Sequence, residues 1–395
     1  MTRREPTRAH QRPLLDLIPD HRHDVDASDE EADFYGPDDD FLTPLKWQAA
    51  LTRTTERIPR RVRRSPKLYA ALAFLALVAW LTYLGPRFSA YRHQMSLMNN
   101  TPAMRFGNNA QPAFKGMIQV RDMDQQHLPE KHKHKRLVFV GDVHGCRNEL
   151  EHLLNKVGFD HKRDHLVLTG DMIAKGPDSP GVIKLAREMG ASCVRGNWED
   201  KLLLSIAEAQ DNALATPDTA TEPSTHHPNA VAPSTNAHAS SSLHKLAKEF
   251  SKGEIAFLQE CPVILRVGTL KPNLGTFVAV HAGLVPDTPL ERQDPFHVMN
   301  MRTIDLKTRI PSSKHSGTPW EKLWNHRQEK LPRKDRVSIV YGHNRKKGLN
   351  IRKYSYGLDT GCVSGGRLTA LVVDGEGETE LVHVKCGKEG GYDAE

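Results

Sequence analysis

The chain has 395 residues and carries 55 Lys+Arg against 48 Asp+Glu, a formal charge of +7. Hydrophobic residues make up 38% and charged residues 26%. That is enough for one sizeable core, and it excludes a multi-span membrane protein, a collagen-like rod and a chain disordered throughout. Cys146, Cys193, Cys261, Cys362 and Cys386 are odd in number and widely spaced, so neither a disulfide framework nor a Cys-pair zinc ribbon is expected.

Residues 1–65 show almost no apolar periodicity. Nine acids lie between Asp24 and Asp40, and seven basic residues follow between Arg53 and Lys67. Such a block pattern buries too little apolar surface to offset ordering entropy, which predicts a disordered tail. Residues 66–85 read PKLYAALAFLALVAWLTYLG, with Lys67 as the one charge. As a helix this stretch is about 30 Å long, the thickness of a hydrocarbon core. Tyr69, Trp80 and Tyr83 sit toward its ends, where amphipathic rings prefer the membrane interface. A buried core helix would not follow a tract as basic as IPRRVRRSPK, and a signal peptide would begin near Met1. Seven Lys/Arg, counting Lys67 at its very start, flank the span on its N-terminal side, and only Arg87, Arg92 and Arg105 follow it closely. The bias predicts a type II signal anchor, with a cytosolic N-terminus and everything beyond the span across the membrane. The sequon Asn99-Asn100-Thr101 falls on that translocated side.

Residues 86–132 are expected to form a juxtamembrane stalk, and residues 133–386 a folded domain followed by a short tail, 387–395. A βαβ rhythm opens the domain: RLVFV, then NELEHLLNKV, HLVLTG, GVIKLAREM and ASCVRG. Residues 212–242, rich in Ala, Pro, Ser and Thr, read as a flexible insertion whose His226, His227 and His238 are expected to be solvated rather than metal-bound. Short β-rich segments resume at PVILRVG, TFVAVHAG, VSIVYGH, RLTALVVD and ELVHVK.

The chemistry lies at strand ends. RLVFV runs into Gly141-Asp142-Val143-His144-Gly145, HLVLT into Gly170-Asp171, and ASCVR into Gly196-Asn197. FVAV runs into His281-Ala282-Gly283, and VSIVY into Gly342-His343-Asn344. Each junction sets a metal-competent side chain beside a glycine that lets the backbone turn. Two Asp, three His and one Asn suit an N/O site for a divalent metal, with no thiolate required. One GDxHG would mean little, because Asp and Gly cluster in turns. Five such junctions in one domain exceed coincidence.

GDVHG, GD-x-x-x-KG, GN-x-E, HAG and GH, in that order, resemble the calcineurin-like metallophosphoesterase signature, and within it the phosphoprotein-phosphatase branch. GDMIAKGP and GLDTGCVSGGRLTAL resemble the bacterial diadenosine-tetraphosphatase (ApaH-like) group. That domain behind one anchor is similar to the fungal vacuolar zinc-dependent endopolyphosphatases. The resemblance covers about residues 133–386. It implies an α/β (α+β) fold, an αββα sandwich of two mixed sheets holding two divalent metal ions about 3.5–4 Å apart. Zn²⁺ comes first, with Mn²⁺, Co²⁺, Fe or Mg²⁺ as other occupants. It places Asp142 and His144 on the first metal, Asp171 as the bridge, and Asn197, His281 and His343 on the second, with a bridging hydroxide as nucleophile. It implies catalytic roles for Asp171, Lys175 and Asn197. It also implies phosphate binding by Lys175, where relatives carry an Arg, with Arg147, Arg195, Arg302 and Arg327 as further basic candidates. Asp359 is expected to orient a ligating His. Two departures from the relatives that act on phosphoproteins stand out: Ala174 stands where those carry Asp, and Trp198 where they carry the leaving-group His.

The expected activity is hydrolysis of phosphoanhydride bonds in inorganic polyphosphate, because an anhydride leaving group needs little help from a general acid. The other enzymatic readings are a dinucleoside-polyphosphate hydrolase and a Ser/Thr phosphoprotein phosphatase. The non-enzymatic one is a membrane-tethered phosphate-binding pseudoenzyme, which the full set of six ligand positions disfavours. The expected partners are polyphosphate and a membrane, the vacuolar one first, with no nucleic acid. The cytosolic tail remains available to sorting machinery.

Overall fold

Alternation along the strands sorts successive side chains between different cores. The computed structural model describes residues 66–100, 116–214, 237–271 and 275–387. One five-stranded sheet has the order β14 (Thr379–Lys385), β13 (Arg367–Val373), β2 (Arg136–Val140), β3 (Asp164–Leu168), β4 (Ser192–Cys193). A six-stranded sheet has the order β1 (Val120–Asp122), β5 (Ile264–Lys271), β6 (Gly275–Val280), β10 (Val337–Tyr341), β12 (Ser355–Gly357), β11 (Asn350–Arg352). A small third sheet joins β8 (Pro311–Ser312), β7 (Thr303–Ile304) and β9 (Thr318–Pro319).

Leu137, Phe139, Val167 and Leu371 of the first sheet meet Phe277, Ala279 and Val340 of the second in one buried cluster. The sheets therefore pack face to face. The alternate residues of the same strands, Val138, Val140, Leu166 and Leu168, face outward onto helices. Those helices are α2 (Arg147–Val157), α3 (Ser179–Glu188), α4 (Asn197–Leu214) and α6 (Lys252–Glu260), which contribute Leu150, Val182, Leu202 and Leu258. On the far side of the second sheet, Val278, Val280 and Ile339 pack against α7 (Pro295–Asn300) and α8 (Trp320–Lys330). The result is the αββα sandwich. Its helices start where local chemistry allows: Asp178 accepts the Gly181 N–H at 2.8 Å ahead of α3, and Ser251 with Glu254 forms a capping box on α6.

The N-terminal helix α1, Pro66–Asn99, has 34 residues, with a π-helical turn at Trp80–Leu84. Its most apolar window averages a hydropathy of 1.9, and none of that window is buried. It is long and apolar enough to cross a membrane. The chain divides after His93 into two units. In the second unit, residues 94–100 belong to the sandwich domain. Met98 is buried in the α7/α8 core, and the buried Arg309 donates to the carbonyls of Leu97 (3.2 Å) and Asn100 (2.7 Å). The sequon residue Asn99 accepts from His326 at 2.8 Å.

Three expectations are corrected. Residues 86–132 are not simply a stalk: they include the end of α1 and strand β1, which pairs in parallel with β5, so the sheet begins before residue 133. Helical periodicity carries α4 to Leu214, and α5 (Ala237–Glu249) begins inside the expected insertion. The remainder, with His226 and His227, lies outside the described residues, as do residues 1–65 and the side chain of His238. The cysteines, judged too scattered to pair, form Cys193–Cys261 and Cys362–Cys386 bridges, each with Cα atoms 5.2 Å apart. Spacing along the chain says nothing about distance once β4 and the end of α6 meet. Cys146 stays a buried thiol, pushed up to about 12 by burial.

The Cys193–Cys261 bridge closes the 68-residue excursion through α4, α5 and α6. The Cys193→Ser/Cys261→Ser variant should lose about 4 kcal/mol by chain-entropy reasoning, a fall in Tm of about 10 °C. Thermal melts without reductant check this, and an unchanged Tm would reject the bridge.

Candidate metal centre

Parallel neighbours end on the same edge. β2, β3 and β4 run parallel in one sheet, and β6 and β10 in the other. The residues just beyond their C-terminal ends, Asp142, His144, Asp171, Asn197, His281 and His343, therefore converge, and all are buried. Two groups of ligand atoms result, Asp142/His144/Asp171 and Asp171/His281/His343, each with all its ligand atoms within 4.8 Å of one another. Asp171 faces both groups. Its Oδ2 lies 3.5 Å from His144 Nε2 and its Oδ1 3.3 Å from His281 Nε2. Asn197 Oδ1 lies 3.0 Å from His281 Nε2 and 3.2 Å from His343 Nδ1.

The backbone is bent to make this happen. His144, Asp171 and His343 have φ of 46°, 49° and 70°, the left-handed region that L-residues populate only at a cost. Ala174 (φ 67°) and Lys175 (φ 69°) extend the distortion and turn Lys175 back, so that its Nζ lies 3.3 Å from His144 Nε2. Glu199, fully buried, clamps the Asp171 turn to α4: its two oxygens accept the N–H groups of Asp171, Met172, Ile173 and Gly196 at 2.8–3.3 Å. Burial and the Asp171 charge push its carboxyl up to about 7. At Gly196 the close approach needs glycine, because a Cβ would sit 2.4 Å from Asp171 Oδ1.

The donor set fits a cation. Each histidine spends its outer N–H on a backbone carbonyl: His144 Nδ1 donates to Ile173 (3.1 Å), His281 Nδ1 to Thr169 (2.9 Å) and His343 Nε2 to Asn300 (3.1 Å). A carbonyl cannot donate, so the inner nitrogens present lone pairs. His281 Nε2 and His343 Nδ1 are 3.2 Å apart with Asn197 Oδ1 beside them both. Three acceptors facing one another are stable only around a positive charge. Burial holds His144 at about 4, so its ring is neutral at pH 7. His343 is also held well below its ordinary value, by burial first and then by Arg302. His281 differs: against burial, the Asp171 and Asp142 charges push it up to about 10. In the metal-free site a proton thus takes the place of a cation.

A pH dependence follows. The metal must displace the His281 proton, which below about pH 10 is bound in the metal-free protein. Affinity should therefore fall as pH falls, about tenfold per unit. Zn²⁺ titrations of metal-free protein at pH 6.5, 7.5 and 8.5 measure the slope. A flat profile would contradict it.

The basic candidates separate. Lys175 sits at the centre, and Arg302, two residues beyond the carbonyl that holds His343, lies close enough to bias that ring. Arg147 is half-exposed at the start of α2 and paired with Glu151 (3.0 Å) and Asp178 (3.6 Å). Arg195 and Arg327 also have carboxylate neighbours within the protein. Arg195 is 3% exposed, with its guanidinium against Asp200 (3.6 Å) and the Gln259 carbonyl (3.3 Å) at the end of α6. Arg327 pairs with Asp287 at 2.9 Å. Each of these two guanidiniums thus faces a carboxylate of the protein itself. Asp359 is buried beside Asp142 and accepts the Gly361 N–H at 3.0 Å; it touches no histidine ring in the described contacts. The site residue that sequence reasoning missed is Glu199, visible only as the last letter of GN-x-E.

Comparisons with known proteins agree with this geometry. A zinc-dependent endopolyphosphatase of Saccharomyces cerevisiae is 29% identical over 274 residues, 64% of this chain and 81% of that protein. A symmetrical bis(5'-nucleosyl)-tetraphosphatase of Nitrosospira multiformis is 26% identical over 301 residues, covering 64% of this chain and 96% of that one. A crystal structure described as a diadenosine tetraphosphatase superposes with a TM-score of 0.51 at 29% identity, covering 68% of this chain and 97% of its own. The calcineurin-like phosphoesterase pattern matches residues 135–365. With strand-end ligands in two facing groups and that match over more than half its length, the chain belongs to the calcineurin-like phosphoesterases, a family of metal-dependent hydrolases.

Proposed function

We propose that the protein is an endopolyphosphatase, hydrolysing phosphoanhydride bonds within chains of inorganic polyphosphate. The carrying observation is Trp198. Beside His144, where its relatives are expected to place an acid imidazole, stands an indole, with ring centroids 6.5 Å apart. A phosphate leaving group has a pKa of roughly 6–7 against roughly 14–16 for a seryl alkoxide, so only the anhydride leaves readily without a placed acid. Asp142, His144 and Asp171 would hold one metal ion, and Asp171, Asn197, His281 and His343 the other, with Zn²⁺ foremost given the N/O donors. When bound, the pair supplies a low-pKa water and polarises the attacked phosphoryl group. The protein's own share is to keep His144 and His343 neutral, to hold Asp171 between the two groups, and to set Lys175 and Arg302 as cations for phosphate oxygens.

The similarity to tetraphosphatases supports a second reading, hydrolysis of dinucleoside tetraphosphates. Metal-loaded protein should be given long-chain polyphosphate, diadenosine tetraphosphate and a phosphopeptide, each with Zn²⁺, Mn²⁺, Co²⁺ or Mg²⁺. Polyphosphate should be cut fastest, and early products should spread over intermediate lengths. Faster cleavage of the tetraphosphate would establish the second reading, and steady release of orthophosphate from full-length chains would replace internal with terminal attack.

The proposed setting is a single-pass type II protein of the vacuolar membrane with its catalytic unit in the lumen. The basic asymmetry around α1 supports it, as do two disulfides, which persist in oxidising compartments. Protease added to intact vesicles should remove the tail and spare the catalytic unit. Digestion of that unit would overturn the topology.

A further inference from the structure

Lys175 holds a place that a metal ion would contest. Its Nζ lies 3.3 Å from His144 Nε2. That nitrogen is the one left to a metal once Nδ1 donates to the Ile173 carbonyl at 3.1 Å. An ammonium and a metal ion cannot both face one lone pair, and as like charges they repel. The main chain cannot carry Lys175 away. The Ala174 N–H is bonded to Ser179 Oγ at 2.9 Å, and the Gly176 N–H to the Ala174 carbonyl at 2.9 Å. Gly176 also lies so close to the β2 turn that a Cβ there would meet the His144 carbonyl oxygen at 2.1 Å. Only the flexible side chain can swing.

The Trp198 indole stands beside it. The ring centroid lies 4.9 Å from Lys175 Nζ and 6.5 Å from the centroid of His144. Trp198 is itself well held: its N–H is bonded to Asp171 Oδ1 at 3.0 Å, and its half-buried ring packs against the helix-side core. An aromatic face attracts an ammonium without neutralising it, as a carboxylate would. Lys175 is exposed, so its charge is open to an anion. Lys201 Nζ lies 4.8 Å from the same ring centroid, and the test has to separate the two lysines.

We propose that Trp198 is the positioning residue for Lys175: its indole face holds the ammonium when His144 Nε2 ligates a metal, and keeps it beside the first ligand group to meet a phosphate oxygen. Without the ring, an exposed lysine displaced from His144 disperses over its rotamers and must be gathered again for each substrate. A rigid, packed aromatic face thus does for a lysine what the planar fork of an arginine does for itself. This deepens the phosphoanhydride reading and rests on it only for the substrate that Lys175 meets.

The test uses the full chain, Zn²⁺-loaded in detergent, with circular dichroism and metal content verifying each variant. Trp198→Leu should lower kcat/KM on long-chain polyphosphate about three- to fivefold, mainly through KM, the strength of an exposed cation–π contact. Trp198→Phe, which keeps an aromatic face, should recover most of that loss. In a Lys175→Met background Trp198→Leu should cost nothing further, because the two residues act as one unit. Additive losses would route the effect through Lys201 or through packing, and would overturn the assignment. A second arm needs no substrate. Lysines carrying ¹³C-methyl groups, which keep their charge, are followed by NMR, with Lys175 assigned by its missing signal in Lys175→Met. In the metal-loaded protein that signal should lie upfield through the indole ring current, and should return to the position of a free lysine in Trp198→Leu. A free-lysine position in the metal-loaded wild type would equally overturn the assignment. If the wild type cuts diadenosine tetraphosphate and not polyphosphate, the polyphosphate reading fails, and the same cycle on that tetraphosphate decides the role of Trp198.

Discussion

Asp171→Asn should lower kcat/KM by about 10³-fold or more on every substrate while the protein remains folded. Among the described residues, Asp171 is the side chain common to both ligand groups, at 3.5 Å from His144 Nε2 and 3.3 Å from His281 Nε2. An amide retains the Oδ1 that accepts the Trp198 N–H, so the turn keeps its hydrogen bond. It removes the negative charge between two cations and offers only one good donor atom. Metal activation contributes several kcal/mol of transition-state charge stabilisation, and each 1.36 kcal/mol is about tenfold in rate. Turnover measured together with metal content separates the outcomes. Loss of activity with loss of about one metal per chain is expected. Full activity with full metal content would remove Asp171 from the bridging role.

Gly342→Ala should be nearly as severe, although it removes no ligand. A Cβ at Gly342 would lie 1.8 Å from Asp142 Oδ1 and 3.2 Å from Thr169 Oγ1. Asp142 would have to move, and with it the carboxylate that accepts the His343 N–H at 3.0 Å. Ligand displacement of that size should cost at least about 10²-fold in activity, by analogy with the loss of a well-placed transition-state contact. Gly348→Ala is the control. Gly348 has φ 65° and open space where its Cβ would go, so alanine there costs only backbone strain of about 1–2 kcal/mol. Near-normal activity in Gly342→Ala would mean that the β10 turn yields more easily than its packing implies.

Much of the site was legible because it depends on local pattern. Near-continuous apolar runs in RLVFV, TFVAV and VSIVY mark strands with both faces buried, and each ends in a ligand type beside a glycine. Parallel neighbours then must bring those ends to one edge, so the six ligand positions could be named without coordinates. The apolar run at 66–85 was equally plain, since length and charge are properties of a segment by itself. Other features have no local signature. That Arg195 faces Asp200 and Arg327 faces Asp287 is invisible to a charge count. Lys175 lies beside His144, and Arg302, held by the Ser313 carbonyl, is near enough to bias His343.

The sequence alone determined the candidate ligand types, their order along the chain and the long apolar helix, because these follow from side-chain chemistry and short-range periodicity. Only the tertiary structure decided which atoms meet. It turned one Asp171 oxygen to each ligand group and used three backbone carbonyls to aim the histidine lone pairs inward. It paired four cysteines separated by 68 and 24 residues, and extended the catalytic unit back to Gln94. It also brought Lys201 and Lys175 to the same indole. Hydrogen bonds, disulfides and cation–π contacts act over a few ångströms, and a residue's neighbours at that range are set by how sheets and helices pack, not by its position in the chain.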